Sequence, residues 1–262
     1  MPSIDVNGTS LHYRFDGPED GTVVLLSNSL ASNHTMWDLQ VPALTGAGYR
    51  VLRYDSRGHG QSAAPQGAYT METLCEDARA LLDALGLDQV HFCGLSKGGM
   101  VGQMLATKHG DRLRTVTLCD TSSYMGPADT WQGRIDATSA GGMEAVVDAT
   151  IDRWFTKPGQ ARIPEEVEKV RGMILGTPVQ GFQGCCMAIR DMDQRESIKS
   201  ISTPTLVIVG EDDPGTTVEM AQQIQASIAG ARLVVLPEAA HLSNIEQPVG
   251  FNGALLGFLA QH

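Results

Sequence analysis

The chain has 262 residues, of which 42% are hydrophobic, 19% charged and 5% aromatic, so it can bury a sizeable core and is not a mostly disordered chain. Lys+Arg 19 against Asp+Glu 30 gives a net charge of −11, which argues against nucleic acid or an anionic membrane surface as main partner, because both demand a basic face. A small anionic substrate stays open, since it needs only a local cation.

The first predicted elements are Ile4–Val6 and Leu11–Phe15, read as an antiparallel edge hairpin. Four apolar, β-branched runs follow as buried strands: Thr22–Asn28, Tyr49–Asp55, Gln89–Leu95 and Arg114–Cys119. Between them, Thr70–Leu85 carries Leu74, Ala78, Leu81, Leu82 and Leu85 at helical spacing, and Lys97–His109 turns Met100, Val101, Met104 and Leu105 inward. Strand–helix–strand alternation of this kind predicts parallel strands joined by right-handed crossovers, an α/β doubly wound sheet. After Asp120 the pattern breaks. Residues 121–200 show no strand run but have helical periodicity: Met143, Val146, Val147, Ile151, Trp154 and Phe155 share a face, and Pro164–Leu175 and Gly184–Asp193 are further helices. Strands return at Pro204–Gly210 and Arg232–Leu236, with helices at Thr217–Ile228 and Val249–Leu259. The expected organisation is a core of residues 1–120 and 201–262, interrupted by a helical cap of residues 121–200.

Five cysteines, Cys75, Cys93, Cys119, Cys185 and Cys186, are an odd number without metal-ligand spacing. Free thiols in a reducing compartment are expected. The start MPSIDVNGTS lacks the pattern of a signal peptide, and no 18-residue apolar run exists; the expectation is a cytoplasmic protein with no membrane partner.

The sharpest chemical signal is Gly94-Leu95-Ser96-Lys97-Gly98-Gly99. It follows a buried strand and opens a helix, the setting of a nucleophile elbow. A side chain at position 94 or 98 would collide with the neighbouring helix and strand. A serine hydroxyl needs a base. Of the seven histidines, His241 follows a strand and precedes the last helix, past the same sheet edge as Ser96. His34 and His59 fall in loops near that edge and are candidate pocket residues. The imidazole needs an acid. Glu211, Asp212 and Asp213 stand in a row after the strand Pro204–Gly210, and Asp120 ends an earlier strand; spacing alone leaves the choice open. Two backbone N–H groups, of Leu30 and Lys97, are the expected oxyanion donors. Arg57, in the turn Asp55–Ser62, is expected to tie loops together, with substrate contact as the other reading.

The combination GLSKGG, YDSRGHGQS, GEDDPGTT and EAAHLSNIEQP resembles the α/β-hydrolase superfamily over nearly the whole chain. Within it, LLSNSLASNHTMWDLQ and the RWFT segment look like the 3-oxoadipate enol-lactonases of the β-ketoadipate pathway. The resemblance implies that Asp213 is the acid, that the cap lies between the sheet halves, and that no metal or organic cofactor is required. It implies opening of an enol-lactone by Ser96 and His241 through an acyl-enzyme. The implied substrate carries a carboxylate, so Arg134, Arg153, Lys157 and Arg190 are candidate cations, and Trp37, Met125 and Trp154 candidate pocket walls. Lys97 departs from the pattern, since relatives carry an apolar residue there. Other readings are an esterase for small acyl substrates and a lactone receptor without turnover. Homo-oligomerisation is open.

Overall fold

The structure is a computed structural model that describes residues 2–262. Eight strands form one sheet in the order β1-β2-β4-β3-β5-β6-β7-β8. They are β1 Ser3–Val6, β2 Thr9–Asp16, β3 Val23–Ser27, β4 Arg50–Tyr54, β5 Val90–Leu95, β6 Leu113–Cys119, β7 Thr205–Gly210 and β8 Arg232–Leu236. β1 and β2 pair antiparallel as the expected hairpin, β2 joins β4 antiparallel, and every later pairing is parallel. The central strands β3 and β5 are buried along their whole length. That is why they read as unbroken apolar runs, not alternating ones: parallel sheets carry helices on both faces.

The helices around the sheet are α1 Val41–Gly46, α2 Met71–Ala84, α3 Lys97–Lys108, then α9 Val218–Ser227, α10 Ser243–Glu246 and α11 Pro248–Leu259. α2 and α3 pack on each other and α3 lies on β5 and β6, while α1 meets α11, which lies on β7 and β8. Thr70 begins α2 by accepting a hydrogen bond from the Thr73 N–H at 3.0 Å, a side-chain cap worth about 1 kcal/mol.

Between β6 and β7 the chain makes five α-helices: α4 Ala128–Gly141, α5 Glu144–Trp154, α6 Lys157–Arg162, α7 Pro164–Leu175 and α8 Val179–Asp191. Their contact with the sheet loops is close. A Cβ on Gly181 of α8 would lie 2.0 Å from the Gly58 carbonyl oxygen, so backbone meets backbone there. The loop that carries Gly58 is clamped from the other side. Arg57 donates to both Asp77 carboxylate oxygens at 2.8 and 2.7 Å and to the Asn7 carbonyl at 2.8 Å. Arg57 and Asp77 are both buried. This settles Arg57 as a tie between the loop and α2. No helix among the described residues is long and apolar enough to cross a membrane.

Candidate active site

Ser96 stands between β5 and α3 at φ 56°, ψ −115°, a conformation that costs a non-glycine residue on the order of 1–3 kcal/mol. Its neighbours impose it. A Cβ at Gly94 would lie 2.2 Å from the Gly98 carbonyl oxygen, and one at Gly98 would lie 2.1 Å from that of Ser27 in β3. The turn is therefore pressed between helix and strand. The Ser96 N–H donates to the Cys119 carbonyl at 2.8 Å, and Thr121 Oγ1 donates to the Ser96 carbonyl at 2.8 Å.

The expected acid and the expected base are joined. His241 Nδ1 donates to Asp213 Oδ2 at 2.7 Å. That bond fixes the tautomer and leaves Nε2 free for the serine. Asp213 is held in turn: the N–H groups of Gly215 and Thr216 donate to Oδ1 at 2.8 and 3.0 Å, and Thr216 Oγ1 donates to Oδ2 at 2.5 Å. Burial pushes the Asp213 carboxyl up, but the His241 charge and these hydrogen bonds outweigh it and hold it below its ordinary value. Burial pushes the His241 imidazole down, but Asp213 outweighs it and holds it above 6.5. The Trp154 ring lies against the imidazole, centroids 5.9 Å apart. Glu211 and Asp212 are exposed, and Asp120 makes no hydrogen bond with the imidazole; its carboxyl bonds Gly210 and Ser243 instead.

Ser96 and His241 line one cavity. No hydrogen bond within 3.5 Å joins them in this resting arrangement. Catalytic hydrogen bonds are often long before substrate arrives. The N–H groups of Leu30 and Lys97 make no hydrogen bond among the described residues; Leu30 lines the cavity, and Lys97 follows Ser96 at the start of α3. The loop that carries Leu30 is braced from behind: the Ala31 N–H donates to His59 Nε2 at 3.0 Å, with Ala31 at φ 58°.

The far wall of the cavity comes from the helical segment: Met125, Trp131, Arg134, Val146, Thr150, Arg153, Trp154 and Phe182. Arg134 and Arg153 both line it, and neither forms a salt bridge among the described residues. The Arg134 guanidinium lies 4.3 Å from the centre of the Trp131 ring, and Arg153 Nη2 donates to Thr150 Oγ1 at 3.2 Å. Burial, then the charge of Arg153, pushes Arg134 down to about 10. Two half-buried cations without a counter-ion face the space beside the serine.

A family model described as the alpha/beta hydrolase fold matches residues 22–248. The chain belongs to the α/β hydrolases. It is 37% identical to 3-oxoadipate enol-lactonase 1 of Acinetobacter baylyi, over 96% of this chain and 94% of that one. The crystal structure of the enol-lactonase from Burkholderia xenovorans LB400 superimposes with a TM-score of 0.96 at 41% identity, covering 99% of this chain and 100% of the other. The RutD protein of Variovorax paradoxus, whose name points to carbamate hydrolysis, is 30% identical over 96% of each chain.

In this α/β hydrolase several expected site residues lie elsewhere. Trp37 does not line the cavity. It is fully buried, donates from Nε1 to Asn28 Oδ1 at 3.1 Å, and packs on Phe251. It supports the Leu30 loop from beneath. His59 is behind the same loop, and His34 is bonded through Nδ1 to Asp55 at 3.0 Å. The Lys97 side chain is buried and its Nζ donates to Ser56 Oγ, away from solvent. Lys157 pairs with Asp152, and Arg190 with Asp191. Met125, Arg134 and Trp154 do line the cavity. Thr216 had no role in the sequence reading. The signal was there: a hydroxyl three residues after an acid and beyond Pro-Gly can fold back on that acid's carboxylate.

Proposed function

We propose that this hydrolase opens a small lactone bearing a carboxylate, with 3-oxoadipate enol-lactone as substrate, through an acyl-enzyme on Ser96. The observation that carries the proposal is the pair Arg134 and Arg153, unpaired and lining the same cavity as Ser96 and His241. An arginine fork suits a carboxylate bidentately, and in a half-buried site the attraction is weakly screened.

The steps follow from the geometry. His241 Nε2 takes the Ser96 proton as Oγ attacks the lactone carbonyl. The negative oxygen that forms accepts hydrogen bonds from the Leu30 and Lys97 N–H groups, each worth on the order of 3 kcal/mol to the transition state. The ring C–O bond then breaks. The leaving oxygen departs as an enol(ate), easier to expel than an alkoxide; it takes the proton that His241 holds, and the enol then tautomerises to the ketone. His241, neutral again, next takes a proton from water, whose oxygen attacks the acyl carbon; the Ser96 ester cleaves, Oγ recovers its proton from His241 and the free acid leaves. Asp213 holds the imidazole and favours its charged form throughout. Every step is served by the chain's own groups.

The test compares kcat/KM on the enol-lactone with that on p-nitrophenyl acetate, which has no carboxylate. The expected preference for the lactone is about 100-fold or more. A higher value on the simple ester overturns the substrate assignment, and absence of multiple turnover on both overturns the enzymatic reading. The RutD relationship favours one second reading, an acyl group on nitrogen cleaved by the same serine. Parallel assay of a carbamate separates the two.

A further inference from the structure

Asp120 is fully buried, lies one residue beyond β6 and takes a backbone φ of 42°. It is not the residue bonded to the imidazole, yet its carboxyl reaches the loops of Asp213 and His241, and its two chain neighbours reach that of Ser96. Oδ1 accepts the Gly210 N–H at 2.8 Å, three residues before Asp213. Oδ2 lies 2.6 Å from Ser243 Oγ, two residues after His241. The residues on either side bind the nucleophile: the Cys119 carbonyl accepts the Ser96 N–H, and Thr121 Oγ1 donates to the Ser96 carbonyl. The Asp120 N–H itself donates to the Ile208 carbonyl of β7 at 2.8 Å.

We propose that Asp120 is a positioning residue, whose carboxyl fastens the aspartate loop and the histidine loop to the end of β6, the strand end whose neighbouring residues hold the serine turn. The proposal rests on the triad described above. Ligand choice plays no part in it: Asp120 does not line the cavity.

Both carboxyl oxygens are engaged, and the surroundings bear on the protonation state. The Oδ2–Ser243 contact can carry its proton on either oxygen. Asp213 and His241 are the charged groups that face Asp120, and Ser243 and Gly210 complete its surroundings. Burial first, then the Asp213 charge, pushes Asp120 up to about 8. At neutral pH it is therefore the neutral acid, able to donate to Ser243 while accepting from Gly210. Above pH 8 it ionises beside Asp213. Two anions then repel across the Gly210 loop, and the tie loosens.

The test uses the rate of Ser96 modification by a fluorophosphonate, which needs no knowledge of the substrate. In that reaction Oγ bonds to phosphorus, fluoride leaves and the serine proton passes to His241. Wild type is expected to react, with a rate that falls through a break near pH 8. Asp120→Asn keeps both ties, because its amide accepts from Gly210 and donates to Ser243. It should stay within about threefold of wild type at pH 7 and lack the break. Asp120→Ala and Ser243→Ala cut ties and should slow the reaction about tenfold or more. Alanine also adds strain at φ 42°, so Ser243→Ala and the Asn profile decide the matter if Asp120→Ala does not fold. If wild type is inert, the triad reading itself fails. If wild type reacts, four outcomes overturn the proposal alone: no break in wild type, a break retained in Asp120→Asn, an Asn variant as slow as the Ala variant, or tie-cutting variants within threefold of wild type.

Discussion

Ser96 is strained because the turn needs it so, and its side chain makes no hydrogen bond that supports the fold. Removing the hydroxyl therefore separates chemistry from stability. Ser96→Ala should lower kcat by about 10⁴-fold or more while the melting temperature moves by about two degrees at most; thermal melts beside steady-state assays check both halves. His241 must be neutral to act as a base, and Asp213 holds its pKa above 6.5. The acid limb of kcat/KM should accordingly have its midpoint above 6.5, rising with pH. In Asp213→Asn the charge that raises the imidazole is gone and burial remains. The limb should then drop below 6.5, with kcat lower by about 10⁴-fold. The two arginines make a different prediction. Arg134→Met and Arg153→Met should each raise KM for a carboxylated lactone about tenfold or more, leave kcat within a few-fold, and leave the p-nitrophenyl acetate KM unchanged. A uniform loss on both substrates would mean that the guanidiniums hold the wall and not the ligand.

At the scale of elements, the sheet was legible because burial on both faces leaves no other reading of runs such as VVLLS and VHFCGL. The elbow was legible because its glycines are forced by a strand and a helix that the same sequence predicts. The helical segment was harder. α4 buries only Trp131, Ile135 and Thr138, a stripe too thin for apolar periodicity to announce. α6 has six residues and is begun by the Thr156 cap and Pro158, a local signal with no periodicity behind it. α8 starts at Val179, five residues before the expected start at Gly184, because Gly181, which resembles a connection, is where the helix meets Gly58. Site residues followed the same division. Ser96, Asp213 and His241 sit at strand ends, which sequence can place. Arg153 and Arg134 could be ranked above Lys157 and Arg190 only by the direction of their helices, which sequence does not fix. The Arg57–Asp77 pair belongs to this scale too. Arg57→Ala leaves a buried carboxylate without its partner and should cost about 3–5 kcal/mol in urea denaturation. Loss below about 1 kcal/mol would show that the loop needs no such clamp.

For the whole molecule, the buried titratable groups set how stability varies with pH. Asp213, held low, contributes stability above the ordinary carboxylate range and loses it as pH falls. His241, held high, contributes below about 6.5 and loses it as pH rises through its folded value. Asp120 acts against the fold on the alkaline side: its raised pKa means that the folded chain resists giving up the proton, so stability declines between about pH 4 and pH 8. Asp120→Asn should consequently melt higher than wild type at pH 8 and differ little at pH 4, a comparison open to differential scanning fluorimetry.

The stitching of the histidine loop reaches further than the triad. Leu242 donates its N–H to the Trp154 carbonyl at 3.1 Å, and the buried Glu246 accepts from the Ala240 N–H at 2.9 Å and from the Thr156 N–H at 3.1 Å. The base is thus bolted to the roof of the cavity as firmly as to its floor. To shift the helical segment would mean breaking these bonds, and the histidine loop would then be held from the core side alone.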